Sequence, residues 1–257
     1  MYDVKHANVL YLDGRYSEAA EIYREGASEG DAECAHNYGH CLLFGIGVER
    51  DPVLAKRYFM LASGRIPASL YNLAVMYLHG TGVPKNYKKT YEYMYDAARG
   101  GIIEAETYIG IAHTIGSLFE PDVIAISLIP YHTEIKREEG FLLDGEVEWD
   151  EDDEEAKISA VREDHRSAFE WFRAAAAHSS DYVEDMSRKS KYLYARCYLD
   201  GLGTDFDRDR ANRLMLVAAK EGSSEAIFYL ETDAPYMLES LNDVVLIDKI
   251  RRTERLG

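Results

Sequence analysis

His36 and His40 stand four residues apart, the spacing at which a helix turns two imidazoles to one face, where they could share a metal ion. A zinc-protease arrangement also needs a glutamate directly after the first histidine, and the chain has Asn37 there. Two helical histidines are an incomplete ligand set, so no metal is assigned. His79 sits at a nearby position of the next helix, and a hydrogen-bonded core histidine accounts for His113. The acidic clusters do not form calcium loops. Counting from Asp150 puts Glu155 where such a loop needs glycine, and Asp205, Asp207 and Asp209 fail in the same way at Arg210. Patterns of the Gly-x-Ser-x-Gly, phosphate-loop or dinucleotide-binding kind are missing, and no Ser or Cys has the context of an activated nucleophile. We assign no catalytic residue and no cofactor, which leaves binding as the chemistry to expect.

The elements that would position such residues follow from a repeat of 35 residues. Gly39, Gly45, Gly47, Asp51, Ala55 and Ala62 recur as Ala74, Gly80, Gly82, Asn86, Thr90 and Ala97. The frame continues through Ala105, Gly110 and Gly116 and returns as Tyr198, Gly201, Gly203, Asp207, Ala211, Ala218, Ala219 and Gly222. Each unit reads as two helices. Leu70, Leu73, Ala74 and Tyr77 give the first helix an apolar face, and Gly-x-Gly supplies the positive φ values that end it. Asp51, Asn86 and Asp207 then stand at N-cap positions, with Pro52 as the favoured first residue of a second helix. Alanines on that helix permit close approach, and Tyr58, Phe59, Tyr93 and Met94 fill the space beside them.

The run Tyr71-Asn72-Leu73-Ala74-Val75-Met76-Tyr77-Leu78-His79-Gly80-Thr81-Gly82-Val83, followed by Asn86 and by Ala97-Ala98, resembles the Sel1-like repeat, a relative of the tetratricopeptide repeat. The resemblance implies an all-α, right-handed α/α superhelical solenoid of about five helical hairpins. We expect a tetratricopeptide-like hairpin over residues 1–32 and repeats over 33–66, 67–102, 103–178 and 179–222, with a capping segment over 223–257. About seven extra residues before the last repeat predict a first helix longer by roughly two turns. In such repeats the first helices line a concave groove. Carried onto this chain, the groove positions hold Lys5, Asn8, His36, Asn37, His40, Tyr71, Asn72, Val75, Thr107, Tyr108, Ile111, Tyr192 and Arg196. Asn37 and Asn72 occupy one repeat position, and asparagine both donates and accepts, which suits an extended peptide backbone. Hydrogen bonding between neighbouring asparagines is an equal alternative. The later basic positions that hold a carboxylate in tetratricopeptide domains are missing, so an internal segment is expected rather than a free C-terminus. Tyr87, Tyr91, Tyr93 and Tyr95 read mainly as core and half-buried surface.

One repeat is interrupted. The frame places the cap of its second helix near residue 122, yet the matching run begins at Asp164-His165-Arg166-Ser167-Ala168, leaving an insertion of 42 residues over about 121–163. Within residues 138–164 there are 13 acidic residues against Lys157 and Arg162, a net of -11 out of -17 for the whole chain. Such a run is either a solvated loop or an acidic docking element, centred on Trp149, Asp150, Glu151, Asp152, Asp153 and Glu154, with Trp149 as its aromatic anchor.

This charge repels phosphate backbones and anionic lipid, so nucleic acid and membranes are not expected partners, and a protein or peptide with a basic surface is. No apolar stretch reaches the roughly 20 residues of a membrane span, and Met1-Tyr2-Asp3-Val4-Lys5-His6 lacks a signal-peptide pattern, from which cytoplasmic residence is expected. Cys34, Cys41 and Cys197 suit buried, reduced thiols. The expected function is a non-enzymatic adaptor or scaffold. The alternatives are an inhibitor or immunity-type protein that neutralises a basic toxin or nucleic-acid-binding enzyme, and third a metal-binding protein or hydrolase. The sequence leaves oligomeric state open.

Overall fold

The structure is a computed structural model, described here for residues 2–118, 163–178 and 184–239. The acidic insertion with Trp149, Asp150, Glu151, Asp152, Asp153 and Glu154 lies outside these residues, as does the last part of the expected cap. The described residues form twelve helices and no strand. They are α1 (Val4–Leu12), α2 (Tyr16–Ser28), α3 (Ala32–Phe44), α4 (Pro52–Ala62), α5 (Pro67–His79), α6 (Tyr87–Arg99), α7 (Ile103–Ile115), α8 (His165–Ala177), α9 (Glu184–Asp200), α10 (Arg208–Lys220), α11 (Ser224–Thr232) and α12 (Pro235–Glu239). The all-α class and the hairpin repeat follow the sequence pattern.

The described residues fall into two compact units, residues 2–105 with 117–118, and residues 106–116 with 163–178 and 184–239. In the first, α1 pairs with α2, α3 with α4 and α5 with α6, while α2 packs on α3 and α4 on α5. Its core includes Tyr23, Leu43, Phe59, Leu73 and Met76, all at most 1% exposed, with the alanines of the repeat at 0% beside them. In the second unit α8 packs on α9, α9 on α10, and α10 on α11. Phe169, Phe172, Cys197 and Tyr198 form one apolar cluster there, and Met215, Ile227 and Leu230 belong to another.

Local chemistry sets the hairpins. Gly45 and Gly80 cap α3 and α5 in the left-handed conformation, at φ 72° and 74°, which glycine adopts without steric penalty. The side chains of Asp51, Asn86, Asp164 and Asp207 then each accept a backbone N–H three residues on, at 2.9–3.0 Å, and start α4, α6, α8 and α10. The second glycine of each turn has a further role. A Cβ on Gly47 would collide with the Tyr16 carbonyl carbon, one on Gly82 would lie 2.7 Å from that of Pro52, and one on Gly203 would collide with the His165 oxygen. Each therefore sits directly on the first turn of a helix from the preceding hairpin, an approach that only a residue without a side chain allows.

Helix α9 is 17 residues long where α3, α5 and α7 are 13. Residues 179–183, which hold part of the extra sequence, lie outside the described residues. At the far end, Asn212 is buried, donates to Tyr236 Oη at 2.6 Å and accepts from Tyr229 Oη at 2.8 Å, tying α10 to α11 and α12.

Candidate functional site

The first helices carry the residues singled out for binding. In the first unit they form a polar row inside the packing. Tyr23 Oη donates to Asn8 Oδ1 at 2.7 Å, Asn37 Nδ2 donates to the same oxygen at 3.3 Å, and Asn8 Nδ2 donates to Glu33 at 3.1 Å. His36 Nδ1 and Ser69 Oγ are 2.7 Å apart, joining α3 to α5. Bonding between the neighbouring asparagines Asn8 and Asn37 therefore exists, whereas Asn72, at the equivalent position, has no such partner among the described residues.

Exposure divides the expected groove. His36, Asn37, His40, Tyr71, Asn72 and Tyr108 are all 6% exposed or less, and Val75 and Thr107 are also buried. Asn8 and Ile111 are half-buried and Lys5 is exposed. These first-helix positions are thus enclosed in this conformation rather than open to a ligand. In the second unit Tyr192 is half-buried and Arg196 exposed. Arg196 donates to both carboxylate oxygens of Asp200, at 3.0 and 3.2 Å, and to Tyr192 Oη at 3.1 Å, which fixes a planar cation on the outer part of α9.

Several polar atoms of the row are left over. His36 Nε2, His40 Nε2, Asn37 Oδ1 and both polar atoms of the Asn72 amide are buried without a hydrogen-bond partner among the described residues. Native proteins hold few such atoms, and each costs about 1–3 kcal/mol. Burial also holds both imidazoles neutral, with pKa values lowered to about 3, and at His40 the neighbouring His36 adds to the effect. Among the described residues no group of three His, Cys, Asp or Glu side chains could hold a metal ion. The donor set at His36 and His40 stays incomplete.

The thiols of Cys34, Cys41 and Cys197 are free and buried, and desolvation pushes those of Cys41 and Cys197 up to about 12. They are inert as nucleophiles in this state. Of the tyrosines on α6, Tyr87 is buried, Tyr93 stacks on Tyr77 at 5.8 Å and Tyr91 on Tyr95 at 6.0 Å, in keeping with core and half-buried surface.

Sequence reading missed a second polar junction. Glu106 on α7 has a side chain only 4% exposed and lies 2.9 Å from Nδ1 of His178, whose own side chain is 45% exposed. Desolvation raises the Glu106 pKa and the imidazole opposes that shift. Beside it Thr107 Oγ1 and Ser190 Oγ share a hydrogen bond of 2.6 Å, and Ser187 Oγ donates to the His178 carbonyl. No motif announces this junction, since the partners are 72 residues apart in one pair and 83 in the other.

Antiparallel helical hairpins of repeated length, joined by Gly-x-Gly turns and stacked on their neighbours, define an α-solenoid repeat protein. The Sel1 repeat model matches residues 32–63, 67–102, 158–180 and 189–223, and the chain belongs to the Sel1-repeat proteins. It is 32% identical over 84 residues to human "Protein sel-1 homolog 2", a match that covers 32% of this chain and 12% of that protein. Among solved structures, a Sel1 repeat protein from Oxalobacter formigenes superposes with a TM-score of 0.65 at 18% identity, over 89% of this chain and 74% of that one. A protective antigen of uropathogenic Escherichia coli with an SLR fold gives a TM-score of 0.65 at 19% identity, over 95% of this chain and 43% of that one. At these identities the likeness establishes the fold. The chain thus spans a small part of its human relative and under half of the antigen. Sel1 repeats build protein-interaction scaffolds, and that coarse role extends to this chain. No helix among the described residues is long and apolar enough to cross a membrane.

Proposed function

We propose that the chain is a non-enzymatic, cytoplasmic adaptor that binds a protein or an extended peptide segment with a basic surface. The observation that carries this reading is the set of unpartnered polar atoms on α3 and α5. The amides of Asn37 and Asn72 can each donate and accept, as a peptide backbone requires, and pairing them would recover part of their desolvation cost. Because these groups are enclosed, engagement includes a local opening of the row. Asn8, His36, His40 and Tyr71 flank it, and Tyr108 on α7 and Tyr192 with Arg196 on α9 add separate contacts in the second unit. The acidic run from Trp149 to Glu154, outside the described residues, supplies long-range attraction for a cationic partner.

The test is affinity capture on the immobilised chain, followed by calorimetry with the recovered partner. The Asn37→Ala/Asn72→Ala double variant should weaken binding by about 10-fold or more, the equivalent of one or two lost hydrogen bonds. Removing residues 140–160 should flatten the dependence of affinity on salt. Binding unchanged by both alterations would reject the reading. One dominant basic partner held at nanomolar affinity would point instead to an inhibitor of the immunity type.

A further inference from the structure

The pair His36 and His40 has a property that the adaptor reading does not use. The two imidazoles project from the same face of α3, and both are enclosed, at 0% and 2% exposure. From α1 the ring of Tyr11 approaches His40 at 6.4 Å, and Phe44 of α3 itself lies at 4.7 Å. From α4 the ring of Phe59 lies 5.5 Å from His36, and from α5 comes the neutral hydroxyl of Ser69. On α2, Tyr23 is bonded to Asn8. The acidic residue in the first turn of α3, Glu33, accepts from Asn8 instead of meeting an imidazole. Of these groups Tyr11, Tyr23 and Glu33 titrate; both tyrosines are uncharged in acid, and the Glu33 carboxylate is engaged by Asn8. The described residues therefore provide no anion to receive a proton placed on either ring, and the second ring would repel the first.

We propose that His36 and His40 form an acid-operated latch in the first unit: protonation separates α3 from its neighbours and uncovers the polar row of His36, Asn37, His40 and Asn72. The closed state excludes the proton, and the opened state accepts two. Linkage then sets the sign. Opening becomes more favourable as the pH falls below the ordinary histidine value of about 6.5, by roughly tenfold per unit for each imidazole. At about pH 5 that amounts to about 30-fold for one ring and about 1,000-fold for both. The gain continues until the closed form itself takes up protons near pH 3. The inference rests on the adaptor reading only for what the uncovered row would bind, and its test requires no partner.

The chain carries its own reporters. Cys34 and Cys41 lie buried on α3 itself, and Cys197 lies buried on α9 in the other unit. Labelling with a dithiodipyridine at about pH 7 and about pH 5, each rate divided by that of the same thiol in the denatured chain, measures local opening at the three sites. Protection of Cys34 and Cys41 should fall by about 1,000-fold between the two pH values, against less than about 10-fold for Cys197. In His36→Gln or His40→Gln the fall should shrink to about 30-fold, and in the double variant it should vanish. The readout is the ratio between pH values, so a variant of lower overall stability still decides. Equal loss at all three thiols, or a double variant that keeps the full pH dependence, would overturn the proposal. Failure to capture a partner would leave this result standing.

Discussion

The backbone N–H of Asp164 donates to the carbonyl of His113 at 2.9 Å. The same bond joins Asp51 to Leu42 at 2.8 Å, Asn86 to Tyr77 at 3.0 Å and Asp207 to Tyr198 at 2.9 Å. In those three repeats donor and acceptor are nine residues apart; here they are 51 apart, a difference of 42 that equals the length of the insertion inferred from the repeat frame. Asp164 also caps α8 in the way the other three caps start their helices. The hairpin is thus closed by its own turn chemistry, whatever sequence lies between the stems.

Removal of residues 140–160 should therefore leave helical content and the thermal midpoint nearly unchanged. Circular dichroism and a thermal melt measure both. Loss of the cooperative transition would mean that the segment is part of the core.

The glycines that touch a preceding hairpin should be far less replaceable than those that only turn the chain. At Gly30, φ is 91° but nothing lies within 4 Å of the place a Cβ would take, so Gly30→Ala should cost only the left-handed strain of about 1–2 kcal/mol. Gly203→Ala carries the same strain and also drives a methyl into the His165 carbonyl, so it should cost at least about 1–3 kcal/mol more. Urea unfolding of the two variants compares them directly, and equal losses would show that the close approach relaxes freely.

His178 and Glu106 supply a pH test with a definite sign. Since burial raises the folded pKa of Glu106, its contribution is most favourable in acid, where the carboxyl is protonated, and is lost as pH rises through the folded value. His178 offsets that loss by pairing with the carboxylate. His178→Ala should therefore destabilise by about 3 kcal/mol near neutral pH, the cost of a buried charge left unpaired, and by much less near about pH 4. Urea midpoints at the two pH values measure the difference. A pH-independent deficit would indicate lost packing instead of a lost partner.

Where the sequence was legible, the controlling chemistry was local. Gly45, Gly80, Asp51, Asn86 and Asp207 act within a few residues of themselves, so their turns and caps could be read from type and spacing. Even the interruption at residues 121–163 was measurable, because the frame on either side keeps its phase. The enclosure of His36, Asn37 and His40 was not legible. A polar triplet on one helix reads as a solvent or ligand face, and only the packing of α1, α4 and α5 around α3 decides otherwise. Glu106 and His178 escaped for a related reason: their meeting depends on the phase of α7 against α8 and α9 and has no sequence signature.

The bond between Asp164 and His113 is made by main-chain atoms alone, and so it is indifferent to which side chains flank it. Closing a longer excursion at that point costs only about 0.6 kcal/mol for each doubling of its length. The turn of the third full repeat is thus a splice point, where material of almost any length can be exchanged without rebuilding the scaffold. Sequence drift should accumulate there first, and a foreign binding segment grafted between Leu118 and Glu163 would inherit a scaffold that already closes beneath it.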